Sequence, residues 1–338
     1  MKLSIGIVGL PNVGKSTLFR LLTKQAVNIA NYPFATIDPN VGIVPVPDER
    51  LGKLTQLSKS KKTLPAVVEF YDIAGLVRGA YKGEGLGNQF LSHIRETQAV
   101  IVVLRVFPSP EIIHVENSVD PLRDMEIVNT ELVLKDLESV TKFCAKSEAE
   151  ARTGAKEARQ EYEALVKLKA CLERGDLPHA RPEIMALIRA NKRISELNLL
   201  TAKAQLYLLN GSETDVPAVL KERIKALQAD FVVVDLAETA DVGLLIRKSY
   251  EILGLISFFT TGEDETRAWT SVRGALAPEA AGEIHSDFEE KFIRAEVIEW
   301  EKLVEAGGWS AAKAKGWLRL EGKEYAVKDG DVMVIRHG

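Results

Sequence analysis

The run GLPNVGKST, Gly9 to Thr17, follows the apolar stretch SIGIVGL and opens a helical pattern. Its spacing, G-x-x-x-x-G-K-[ST], lets backbone N–H groups at a helix N-terminus wrap a phosphate. In that arrangement Asn12, Val13, Gly14, Lys15, Ser16 and Thr17 form the cradle. The Lys15 ammonium then bridges the β- and γ-phosphates, and the Ser16 hydroxyl ligates Mg²⁺. A second pattern, D-x-x-G in YDIAGL, puts Asp72 at a strand end near that metal and Gly75 where its N–H meets the γ-phosphate. Between the two, in NYPFATIDPN, Thr36 is placed to close over the metal. Together these residues point to a nucleoside triphosphate and to transfer of its terminal phosphoryl group to water.

The choice of base is written after a later strand. AQLYLLN ends in Asn210, where a Ras-type GTPase has N-K-x-D, but Gly211, Ser212 and Glu213 follow. Guanine offers N1–H and N2–H donors to the Asp of that motif. Adenine presents an acceptor at N1, which would repel the same carboxylate. Asn210 and Gly211 are therefore expected to meet adenine, and polar groups left unpaired by the wrong base make such a preference large. Glu213 either joins the base site or is a solvated residue in the first turn of the next helix.

Leu76 lies where a Ras-type GTPase carries its water-orienting Gln. An apolar side chain orients no water, so intrinsic turnover is expected to be low or the catalytic group to come from elsewhere. Of the histidines, His114 in EIIHVEN falls on a loop at the carboxyl edge of the sheet, where open α/β folds bind ligands, and is the candidate beside Lys15 and Gly75; a structural role is its alternative. His93 reads as a packing residue, His179 as the tip of a helical arm, and His285 and His337 as parts of a C-terminal domain. Asn12 is either an ordinary loop residue or a side chain that holds K⁺ beside the phosphates.

The elements that must position these residues are apolar runs at 4–10, 66–75, 99–107, 204–210 and 230–237, separated mostly by helical patterns. That alternation predicts an α/β fold with a parallel, doubly wound sheet. Between the third and fourth runs, a helical pattern extends from Asp124 to Arg174, ERGDLPHARPE turns the chain, and a second helix returns through IMALIRANKRI. An inserted antiparallel coiled-coil arm is expected there. From Leu255 onward strands surround a helix, as in a small α+β domain. The expected division is 1–123 with 200–254 for the nucleotide domain, 124–199 for the arm and 255–338 for the C-terminal domain.

The chain has 338 residues, 46% hydrophobic and 27% charged, enough for two or three globular domains. No apolar run approaches the roughly 20 residues that span a bilayer, and no signal-peptide pattern follows Met1, so a cytoplasmic protein without membrane contact is expected. Cys144 and Cys171 lack metal spacing and read as reduced helix residues. Within a net charge of -4, residues 142–193 hold 12 Lys/Arg against 8 Asp/Glu. That local excess is either a solvated face or the contact for a phosphate-bearing partner.

The segments GLPNVGKST, NYPFATIDPN, DIAGLVRGAYKGEGLGNQF, IIHVENSVDPLRD, AAGEIHSDFEEKFIRAEVI and DGDVMVIRHG resemble the YchF-type Obg-like ATPases over nearly the whole chain. The resemblance implies a GTPase-like domain, a coiled-coil insertion, a C-terminal TGS domain of β-grasp fold, ATP in preference to GTP, and association with ribosomes. Between Asp230 and Phe258 the chain is shorter than that family's pattern. The function expected is an ATPase whose nucleotide state switches its hold on a ribosome or RNA, with no DNA partner. An Obg-type GTPase and a nucleotide-sensing adaptor with negligible hydrolysis are the alternatives.

Overall fold

The computed structural model describes residues 4–25, 40–73, 93–108 and 118–338. The chain divides into two compact units, Met1–Gly42 with Glu69–Leu245, and Ile43–Val68 with Ile246–Gly338. In chain order the first strands are β1 (Ser4–Val8), β2 (Val41–Pro45), β3 (Lys62–Leu64), β4 (Val67–Asp72), β5 (Ala99–Arg105), β6 (Ala204–Asn210) and β7 (Asp230–Val234). The second unit adds β8 (Leu255–Thr261), β9 (Glu265–Val272), β10 (Phe292–Glu299), β11 (Arg319–Glu321) and β12 (Asp331–His337).

In the first unit, neighbouring strands run in the order β4-β1-β5-β6-β7, every pair parallel. All residues of β1 and β5 are buried, which is why both read as unbroken apolar runs rather than alternating ones. Strand β1 has β4 on one side and β5 on the other, so the chain leaving β1 runs toward the β4 side and the chain leaving β5 runs the other way, toward β6. Such a reversal opens a crevice. Helix α1 (Lys15–Lys24) starts there.

The helical insertion departs from expectation. The pattern from Asp124 to Arg174 is two helices, separated by a turn at 152–155. With α2 (Glu49–Ser58) preceding them in the chain, they are α3 (Pro121–Ala151) and α4 (Lys156–Glu173). Gly154 takes φ +90°, a value that ends a helix cheaply only for glycine, and the Thr153 hydroxyl donates to Glu150 O at 2.7 Å. Ser147 Oγ donates to Glu161 Oε1 at 3.0 Å, and these residues lie equally far from Gly154, as an antiparallel hairpin requires. The tip is thus 152–155. His179 is half-buried beside Thr201 O (3.2 Å), where the chain returns to β6, so its expected place at the tip is corrected.

Residues 43–68 also depart from the expected division, because they belong to the second unit. That unit's sheet has the order β11-β10-β12-β8-β9-β3, and β3 pairs in parallel with β9 from Lys62↔Glu265 to Leu64↔Arg267. Arg50 adds ion pairs to Asp48 and Asp329, each at 2.7 Å. Ile256, Phe258, Ala280, Ala295, Val297 and Met333 form that unit's core.

Candidate nucleotide site

The loop between β1 and α1 owes its shape to three left-handed positions. Gly9 has φ 153°, and a Cβ there would lie 2.6 Å from Val103 O of β5. Gly14 has φ 111° and caps α1, and a Cβ there would lie 2.6 Å from Asn210 Nδ2. Asn12 takes φ 62°, a conformation asparagine tolerates better than most residues. The chain therefore folds tightly against β5 and β6 and delivers its amides to the start of α1.

Lys15 is only 8% exposed, and its Nζ donates to Leu10 O at 2.6 Å. Burial pushes its ammonium down to about 8, while the Asp72 carboxylate opposes that shift. Burial likewise raises Asp72, with Lys15 opposing, so each charge supports the other. Asp72 is the last residue of β4, in register with Ile7 of β1. Ser16 is exposed in the first turn of α1.

These residues open on a cleft of about 320 Å³. Asn12, Gly14, Lys15, Ser16 and Thr17 line it from the loop. From the carboxyl ends of β5, β6 and β7 come Phe107, Asn210, Leu236 and Ala237. Phe107, Leu236 and Ala237 escaped the sequence reading, because an apolar residue at a strand end looks like core; only its position at the carboxyl edge marks it.

Asn210 is 6% exposed and ties the parts of the cleft together. Its Nδ2 donates to Val13 O at 2.9 Å, and its Oδ1 accepts from Leu236 N at 3.1 Å. It holds the phosphate loop to the β7 loop. Gly211 follows at φ 147°, where a Cβ would lie 2.7 Å from Val106 Cγ2, and its N–H reaches Val234 O at 3.1 Å. In the β7 loop, Asp235 Oδ1 accepts from Ala237 N at 2.9 Å, stiffening the backbone that presents Leu236 and Ala237.

Glu213 is absent from the cleft lining and pairs instead with Lys221 at 2.8 Å. His93 is exposed rather than packed. His285 accepts from Asp287 N at the start of a short helix, and His337 stacks on Phe288 at 4.4 Å. Thr36, Gly75, Leu76 and His114 lie outside the described residues.

The oxygen donors present suit Mg²⁺ in one particular way. Ser16 and Asp72 offer a hydroxyl and a carboxylate, and the described residues hold no group of three or more His, Cys, Asp or Glu able to bind a metal alone. A small hard cation that keeps several waters and takes phosphate oxygens needs only such a partial set.

Comparison with known proteins agrees with this architecture. Residues 4–139 match the family described as 50S ribosome-binding GTPase, and residues 255–338 match the YchF-GTPase C-terminal family, described as a protein of unknown function. The chain is 47% identical over 366 aligned positions to the ribosome-binding ATPase YchF of Bacillus subtilis, covering 99% of both. It is 44% identical to that of Escherichia coli O157:H7, covering 98% of both. The structure of the Schizosaccharomyces pombe YchF GTPase superposes with a TM-score of 0.83 at 36% identity, covering 99% of this chain and 98% of that one. An alignment of 366 positions to 338 residues leaves at least 28 positions (366 less 338) without a residue in this chain. Alike in its whole length, its loop-and-helix site and its fold, the chain belongs to the YchF family.

Proposed function

We propose that the protein is a Mg²⁺-dependent ATPase that associates with the ribosome according to its nucleotide state. One observation carries the choice of base: among the described residues, the cleft's far end is lined by Phe107, Asn210, Leu236 and Ala237, with no carboxylate. Glu213, the nearest acidic residue in sequence to Asn210, is absent from that lining and pairs with Lys221 on the surface. Guanine's N1–H and N2–H would find no anion there, whereas adenine needs none. Calorimetric titration tests this directly. ATP should bind more tightly than GTP, and equal affinity or tighter GTP binding overturns the reading.

The chain's own groups divide the work. Loop amides and the α1 N-terminus hold the phosphates, and Lys15 places a charge between β and γ in a site where burial strengthens it. Ser16 and Asp72, with Thr36, would hold Mg²⁺, which neutralises phosphate charge when bound. Gly75 and His114 are the proposed partners of the γ-phosphate and the attacking water. Leu76 in place of a water-orienting Gln keeps intrinsic turnover low. K⁺ beside Asn12 belongs to the same reading, and rates equal in Na⁺ and K⁺ would remove it.

The ribosome enters through the names of the relatives, and the hairpin supplies a surface that suits RNA. Arg152, Lys156 and Arg159 cluster about the tip turn. Arg152 pairs with Glu148 at 2.7 Å on an exposed surface, a bond weak enough to exchange for a phosphate. Reversing all three to Glu should weaken co-sedimentation with ribosomes and flatten its salt slope by about three counterions, with intrinsic ATP hydrolysis unchanged. Binding with an unaltered salt slope returns these residues to a solvated face. Association of this kind would place the protein in the cytoplasm, and no helix among the described residues is long and apolar enough to cross a membrane.

A further inference from the structure

The wall of the cleft contributed by Phe107 has an unusual support. Arg105, the last residue of β5, is 1% exposed, yet it carries a guanidinium at the carboxyl edge of the sheet. Its Nε donates to Phe107 O at 3.0 Å, and its Cζ lies 4.9 Å from the centroid of the Phe107 ring. One side chain thus holds both the backbone and the ring of a cleft residue. Asp124, buried in the first turn of α3, offsets the desolvation of the Arg105 charge. Burying a charge costs several kcal/mol unless it is paired and hydrogen-bonded. An apolar residue would fill a strand end at no such cost. The Arg is matched to its surroundings because a guanidinium is planar, permanently charged, and able to stack and donate at once.

We infer that Arg105 is a positioning residue for adenine-nucleotide binding, which fixes Phe107 as the base-side wall of the cleft. The inference rests on the cleft being the nucleotide site.

Titration calorimetry on the full chain tests this with two probes, ATP and inorganic tripolyphosphate, which lacks a base. Arg105→Met should weaken ATP about tenfold, the scale of one desolvated cation–π contact, and leave tripolyphosphate within about twofold. In a Phe107→Leu background, the same substitution should cost less than about twofold further, because Arg105 acts through Phe107. Should the Met variant fail to fold, Arg105→Lys carries the same comparison, since it keeps the charge and loses the Nε donor.

Equal weakening of ATP and tripolyphosphate overturns the inference, since that is the mark of a general loss of structure. So does a full tenfold cost in the Phe107→Leu background. If Lys15→Ala leaves ATP and tripolyphosphate binding unchanged, the cleft itself has been misassigned, which is a different result from either.

Discussion

Asn210 separates two ways in which a residue can serve a nucleotide site. Its amide is spent on the protein: Nδ2 on Val13 O at 2.9 Å and Oδ1 on Leu236 N at 3.1 Å. Substitution by Ala removes both bonds and orphans a carbonyl and an N–H. Each orphan costs about 1–3 kcal/mol, and water reaching the nucleotide-free cleft keeps each to about 1.5 kcal/mol, giving about 3 kcal/mol in all. For a unit of roughly 150–250 residues, 1 kcal/mol moves the melting temperature by about 2–4 °C. Asn210→Ala should therefore lower the melting temperature of the nucleotide-free protein by about 6–12 °C. Differential scanning calorimetry without nucleotide reads this directly.

Asn210→Asp sharpens the case. A carboxylate can still accept from Leu236 N, but its other oxygen would face Val13 O, acceptor against acceptor. That contact favours the protonated acid, which donates to Val13 O, so the carboxyl's pKa is raised in the folded state. A raised folded pKa means that stability is present at low pH and lost as pH rises through it. The Asp variant's deficit should shrink on acidification relative to the Ala variant's. If nucleotide-free Asn210→Ala instead melts within about 1 °C of the parent while its ATP affinity collapses, the clamp is unimportant and Asn210 acts on the base alone.

Three further outcomes follow, two from the same site and one from the opposite, amino-terminal ends of β5 and β6. Gly14→Ala should abolish ATP binding and lower the melting temperature, since its Cβ would sit 2.6 Å from Asn210 Nδ2 at φ 111°; retained binding means the loop relaxes freely. Lys15→Ala should remove hydrolysis while leaving the circular dichroism spectrum unchanged, and unaltered turnover would contradict its role at the phosphates. Lys203, whose Nζ donates to Arg95 O and Thr97 O, is pushed down to about 8 by burial. The unfolded chain then binds more protons between about pH 8 and 10.5, so this group adds stability as pH rises, up to about 3 kcal/mol. Denaturant titrations at pH 7.5 and 10 should show the parent gaining on Lys203→Met by that order, and parallel profiles would refute the shift.

What the sequence disclosed and what it hid divide along one physical line. The phosphate loop was legible because its chemistry is local: Gly9 and Gly14 sit where φ must be positive, and Lys15 follows at the helix start. Asp72 was legible because a strand end places it beside β1. The hairpin tip was not, since 152–155 is polar like the helices on either side and Gly154 alone signals the break. Membership of residues 43–68 in the second unit was invisible, because it depends on a three-residue strand pairing with partners some two hundred positions later, from Lys62↔Glu265.

Base recognition shows the same line at the scale of single residues. Sequence comparison with N-K-x-D reads the loss of an acidic side chain after Asn210 and looks for a substitute in Glu213. The structure answers through contacts that no spacing encodes. Lys221, on the following helix, takes the Glu213 carboxylate, and Asn210 turns its amide to Val13 and Leu236. The base end of the cleft then consists of Asn210 with the apolar Phe107, Leu236 and Ala237, which offer no anion. Discrimination against guanine at such a wall comes from leaving its donors unpaired once the bound base covers the apolar lining and displaces water, at about 1–3 kcal/mol for each orphaned group. Because the penalty depends on dryness, the preference for ATP should be as sensitive to the setting of Phe107 as to any polar contact, which places Arg105 among the residues that decide the base without touching it.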